Sequence, residues 1–226
     1  MRILAGTGVD APPGRTYTAA LSFAEAMFSD SLPRPAKLGR WRTAVGDAFE
    51  YALVAPTTTL YAPNGELRSA ADAADGIRWI SAAAGALRAR LVVLETGGTP
   101  TTGQRDRDRF RALIDGIRAG GDTQIVWHPA GLWEPEAASA FAASIGIVRA
   151  VDPLSESIDE DGPIVYARLR AVGGRRRFSD DMLESVADAF AERAPEAGYV
   201  AIHAGQSFRN ASTLAALLAE RGDAAP

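Results

Sequence analysis

Eight short apolar runs are spaced along the whole chain, and segments with helical periodicity lie between most of them; few folds accommodate that alternation. The runs read as strands are Ile3–Ala5, Leu21–Ala24, Phe49–Val54, Leu91–Leu94, Gln124–Trp127, Ile147–Val151, Ile164–Leu169 and Tyr199–Ile202. Several are apolar almost throughout, as strands of a parallel sheet must be when helices cover it. Ile77, Ile80, Ala84 and Leu87 build one apolar helical face, and Phe110, Leu113, Ile114 and Ile117 build another. Glu134-Pro135-Glu136 and Ser179-Asp180-Asp181 read as helix starts, from proline at the first position, acid near the positive end of the dipole and a serine cap. A last helix is expected from about Phe208 to Ala219, and residues 221–226 as a frayed tail.

The expected fold class is α/β, a TIM-barrel-like (β/α)8 barrel in one domain over residues 1–220, with an open doubly wound sheet as its rival. The first and second crossovers are expected to be irregular. Residues 11–20 and 29–44 carry Pro12, Pro13, Pro33 and Pro35 and read as loops with short helical turns, and Asp152–Pro163 as an acidic loop with one helical turn. Cysteine is absent among the 226 residues, which excludes disulfides, thiolate metal sites and a cysteine nucleophile. The net charge is −4 and the basic residues are scattered, so no nucleic-acid partner is expected. No run approaches the roughly 18 apolar residues of a membrane span, and Ile3-Leu4-Ala5 is too short for a signal core, so a cytoplasmic protein without a membrane partner is expected.

The strings VWHPAGLWEPEAA (126–138), IVRAVDP (147–153), YARLRAVGGRRRFSDDML (166–183) and YVAIHAGQSFRNA (199–211) resemble successive motifs of the YecE-like family, a domain of unknown function. FEYALVAP (49–56) and LPRPAKLGRW (32–41) resemble that family's third-strand motif and the segment before it. The resemblance covers about residues 21–218 in order and implies a TIM-barrel-like fold, with little about chemistry. Asp152-Pro153, Arg168 and Phe178-Ser179-Asp180 match the pattern, and Glu25 and Phe28 are what remains of the second-strand signature. Other positions depart from it. His128 stands where members have Glu, Arg170-Ala171 where they have His-Gly, and His203-Ala204 where they have two asparagines.

In a barrel, chemistry is carried at the C-terminal ends of the strands. Those ends supply Thr7, Glu25, Thr57, Glu95, His128, Asp152, Arg168, Arg170 and His203. Alternation puts Tyr166, Arg168 and Arg170 on one face of the seventh strand and turns Val165, Ala167 and Leu169 toward the helices. The two arginines suit a clamp on carboxylate or phosphate. The bland reading is that Arg168 pairs with Glu95 or Asp152 to neutralise buried charge. His128 and His203, the only histidines, suit acid/base work, metal ligation with Glu95, Asp152 or Glu25, or ordinary polar packing. The candidate catalytic set is His128, Asp152, Glu95 and His203, with His128, Asp152 and His203 expected near one another. The candidate ligand-binding set is Arg168, Arg170, Glu25 and Thr7. No cofactor and no tightly held metal are expected.

Gly97–Gly103 lacks the lysine and glycine spacing of a phosphate loop and reads as a flexible mouth loop. Gly173-Gly174-Arg175-Arg176-Arg177 reads as a solvated turn whose glycine amides are open to an oxyanion, and Trp41, Trp127 and Trp133 as packing residues. Serine-hydrolase, zincin and dinucleotide fingerprints are missing. Two functions follow: an enzyme acting on a small anionic or phosphorylated metabolite, or a diverged non-catalytic protein that binds a ligand or partner.

Overall fold

A computed structural model describes residues 2–28, 31–159, 162–171 and 177–223. Its elements are β1 (Arg2–Val9), α1 (Arg15–Ala20), β2 (Phe23–Ala26), α2 (Pro35–Ala44), β3 (Glu50–Val54), α3 (Thr57–Leu60), α4 (Ala74–Leu87), β4 (Leu91–Glu95), α5 (Gln104–Arg118), β5 (Gln124–His128), α6 (Pro135–Ser144), β6 (Val148–Val151), β7 (Ile164–Arg170), α7 (Asp180–Arg193), β8 (Ala197–His203) and α8 (Ser207–Asp223). The strands run in sequence order around a closed parallel barrel, so the open-sheet alternative does not hold. All eight apolar runs are strands. Closure pairs the first strand with the last, from Arg2 opposite Ala197 to Thr7 opposite Ile202.

The chain divides into two compact units: residues up to 9, 13–25 and from 150 onward in one, and residues 10–12 and 26–149 in the other. In the first, Val165, Ala167 and Leu169 of β7 pack with Leu183, Val186 and Phe190 of α7 and with Leu214 and Leu218 of α8. Helix α7 starts where the sequence signals it: the Ser179 hydroxyl accepts the Met182 amide at 3.4 Å, and Asp180 and Asp181 occupy the first turn. Gly6 lies where a Cβ would come within 2.2 Å of the Phe23 carbonyl oxygen, so this close approach admits only glycine. Gly6→Ala is expected to cost about 1–3 kcal/mol of stability, read as a lower thermal midpoint.

In the second unit, β4 and β5 align Leu91 with Gln124 through Glu95 with His128. Trp127 is fully buried; its ring packs with Phe110, Trp133 and Phe141 at centroid distances of 5.4, 5.0 and 5.7 Å.

Two expectations need correction. Residues 35–44 form a ten-residue helix, not a loop: Pro35 occupies the first turn, where no amide is needed, and Leu38, Trp41 and Arg42 bury one face. Helix α8 continues to Asp223, and Arg221 Nε donates to Asp188 Oδ1 at 2.7 Å, so the expected tail does not begin at residue 221; its residues 224–226 lie outside the described residues. Among the described residues the β6–β7 connection is a loop with a turn and no helix, where a loop with one helical turn was expected over Asp152–Pro163; residues 160 and 161 lie outside the described residues.

Candidate functional site

Strand β2 is four residues long, and all four are buried. A glutamate in such a strand keeps its charge only if cations and donors surround it. Strand β7 supplies two of them by its alternation: Tyr166 and Arg168 share the face that meets Glu25. The Tyr166 hydroxyl donates to Glu25 Oε1 at 2.6 Å, and Arg168 Nη2 donates to Glu25 Oε2 at 2.8 Å. The last residue of β8, His203, completes the shell with Nε2 2.8 Å from Glu25 Oε2. The Glu25 and Arg168 side chains are 0% exposed, whereas His203 is 19% exposed.

Burial alone would raise the Glu25 pKa, but the Arg168 charge and the hydrogen bond and charge of His203 outweigh it and hold the carboxyl well below the usual carboxylate range. Burial, with the Glu25 charge beside it, pushes the Tyr166 hydroxyl well above its ordinary value, so it stays a donor. Arg168 Nη2 also stands 3.2 Å from His203 Nε2. Because the ionised Glu25 carboxylate can only accept, its 2.8 Å contact with Nε2 is made by an Nε2–H, which leaves Nδ1 as the ring nitrogen not engaged by Glu25.

The carboxylate that closes on Arg168 is thus Glu25, which the sequence reading offered as a ligand contact and not as a partner. Thr7 anchors backbone: its amide donates to the Tyr17 hydroxyl at 2.9 Å, and that hydroxyl donates to the Phe23 carbonyl at 2.8 Å. Asp152 organises the loop after β6, its Oδ1 accepting the Leu154 amide at 3.0 Å, and burial raises its pKa. Arg170 ends β7 exposed and in register with His203. The amides expected to help it at Gly173 and Gly174, with Arg175 and Arg176, lie outside the described residues.

In the other unit, Glu95 and His128 end neighbouring strands as register partners. His128 Nδ1 is 3.9 Å from Glu95 Oε1, within ion-pair reach but beyond a hydrogen bond. The histidines therefore sit in separate carboxylate pairs, one in each unit. Among the described residues, no three His, Cys, Asp or Glu side chains are grouped to hold a metal ion. Tyr166 and Tyr17 went unassigned in the sequence reading. Spacing of two from Arg168 was the signal available for Tyr166; Tyr17 offered none.

The Gly97–Gly103 loop differs from the expected flexible one. Its Thr99 carbonyl accepts the Tyr61 hydroxyl, its Pro100 carbonyl accepts Trp133 Nε1 at 2.7 Å, and the Thr101 amide donates to Asp106 Oδ2 at 2.9 Å. Three fastenings on successive residues fix its path.

No family model matches the sequence, and no curated protein does. Solved structures do. A DUF72 family protein from Enterococcus faecalis V583 superposes with a TM-score of 0.71 at 11% identity, over 98% of each chain. D-psicose 3-epimerase from Clostridium cellulolyticum H10 superposes with a TM-score of 0.56 at 12% identity, over 99% of this chain and 97% of that one. Endonuclease IV from Thermus thermophilus gives 0.58 at 13% identity over the whole of both. At such identities the likeness is one of fold, and the fold hosts unrelated chemistries. No helix among the described residues is long and apolar enough to cross a membrane. Over nearly its whole length the chain shares the closed barrel fold of that DUF72 family protein.

Proposed function

We propose that the chain is an enzyme in which His203 moves a proton to or from a small anionic or phosphorylated substrate at the C-terminal ends of β7 and β8. The observation that carries this reading is the 2.8 Å contact between Nε2 of a partly exposed histidine and a wholly buried, ionised carboxylate. Glu25 fixes the tautomer, leaves the second ring nitrogen basic, and stabilises the imidazolium formed when that nitrogen takes a proton. Arg168 neutralises Glu25 and holds it in place, so the carboxylate orients the ring without itself becoming the base. Arg170, at the exposed end of the neighbouring strand, is the group for the substrate's anionic part. Glu95 and His128 form a second, looser pair of the same kind, and Asp152 shapes the adjoining loop.

A binding protein without turnover is the second reading. It is favoured by the joint departure of His128, Arg170 and His203-Ala204 from the family's motifs. A panel of anionic metabolites screened by thermal shift, followed by product analysis of those that bind, separates the two. His203→Ala is expected to lower turnover by about 10²–10⁴-fold. Arg170→Ala is expected to weaken binding by about 1.5–3 kcal/mol with the thermal midpoint nearly unchanged. A binding compound that is never converted leaves the second reading. Full turnover by His203→Ala overturns the first.

A further inference from the structure

Outside the His203 cluster, one cleft combines a cation, an aromatic ring and bare backbone. It lies in the unit of residues 26–149, between the connection after β3 and the loop after β4, and encloses about 610 Å3. That is within the range of small-molecule sites. Tyr61, Ala62 and Pro63 form an apolar wall, Arg68 stands among them, and Gly97 and Gly98 contribute backbone without side chains.

Arg68 is held by its inner nitrogen: Nε donates to the Tyr61 carbonyl at 3.0 Å. Its terminal nitrogens meet no partner among the described residues. The turn that carries it is closed by pairing of Tyr61 with Leu67. The facing loop is fastened through Thr99, Pro100 and Thr101 as described above, so both walls are set before any ligand arrives. A Cβ placed on Gly97 or Gly98 would meet nothing within 4 Å, so neither glycine is demanded by packing. The positive φ that often explains a glycine is absent from both. Their smallness leaves room in the cleft.

We propose that this cleft is a binding site for a small organic oxyanion, a phosphate monoester or carboxylate carried on a flat apolar body. The Arg68 fork takes the oxyanion through its two terminal nitrogens, the geometry in which a guanidinium binds such groups best. Tyr61 and Pro63 take the body. The inference goes beyond the proton-transfer reading and uses none of its residues.

The test titrates the full chain with phenyl phosphate, benzoate and inorganic phosphate while the backbone amide resonances of Thr58, Gly97 and Gly98 are followed. The organic anions are expected to shift these amides saturably and to bind more tightly than inorganic phosphate; which of the two is tighter assigns the head group. Arg68→Ala is expected to weaken binding by about tenfold to a hundredfold. Gly97→Leu keeps every hydrogen bond of Arg68 and fills space, and it is expected to weaken the organic anions while leaving the thermal midpoint unchanged. Failure of both organic anions to shift these amides overturns the proposal. So does inorganic phosphate binding as tightly as either, or unchanged affinity in a folded Arg68→Ala or in Gly97→Leu.

Discussion

Glu25→Gln is expected to lower the unfolding free energy by about 3–5 kcal/mol, a large part of the roughly 5–15 kcal/mol that holds a domain together. The substitution keeps the shape but leaves the Arg168 guanidinium, 0% exposed, without its counter-charge. It also turns one acceptor into a donor that must face either Tyr166 or the cations. Replacing both partners together, Glu25→Leu with Arg168→Met, is expected to recover much of the loss, because the desolvated charges disappear as a pair. Acid should reveal the same coupling. The native Glu25 pKa lies below its unfolded value, so its contribution is complete above that unfolded value, near pH 4.3, and is lost as pH falls toward the native one. Urea midpoints of the parent should therefore drop between about pH 5 and pH 3 more steeply than those of Glu25→Gln, with the range set by that ordinary carboxylate value. A loss below about 1 kcal/mol at pH 7 would contradict the account of a charge that needs its partner.

Trp127→Ala should be of similar size, about 3–5 kcal/mol, for a different reason. The indole fills the centre of the ring cluster of Phe110, Trp133 and Phe141, all within 5.7 Å of its centroid. Its Nε1 donates to Thr96 Oγ1 at 2.9 Å. Removing it opens a cavity that three large rings cannot close, and Trp127→Phe, which preserves most of the volume, should cost clearly less. Equilibrium unfolding in urea reads both. Equal losses in the two variants would place the energy in the Thr96 hydrogen bond and not in packing.

The architecture was legible because several strands are apolar almost throughout, and burial on both faces of a parallel strand writes itself directly into composition. Helix α2 was not, since Pro33 and Pro35 read as breakers until one sees that Pro35 opens the helix and Leu38, Trp41 and Arg42 line its buried face. The site was legible by halves. Strand ends and alternation singled out Glu25, Arg168, Arg170 and His203. Alternation says which face a residue takes, however, and not which residue meets it across the barrel. Glu25 finds Tyr166, Arg168 and His203 at separations of 141, 143 and 178 residues, for which no local pattern exists. Alternation placed Tyr166 on the face of Arg168 and Arg170 without giving it a role, and the structure buries it completely against Glu25.

The unit that holds Glu25 draws on both ends of the chain, whereas the other is built almost wholly from the continuous stretch 26–149. Synthesis reads the polypeptide from one end. On a growing chain the middle stretch has all its β3–β5 partners soon after it emerges, while Glu25 must wait, hydrated and titrating as an ordinary carboxylate, until β8 and its terminal His203 have been made. Until then β1 has no last strand to close against. Every molecule thus passes through an interval in which residues 26–149 have been made and the Glu25 cluster cannot yet exist, because the strand that carries His203 has not.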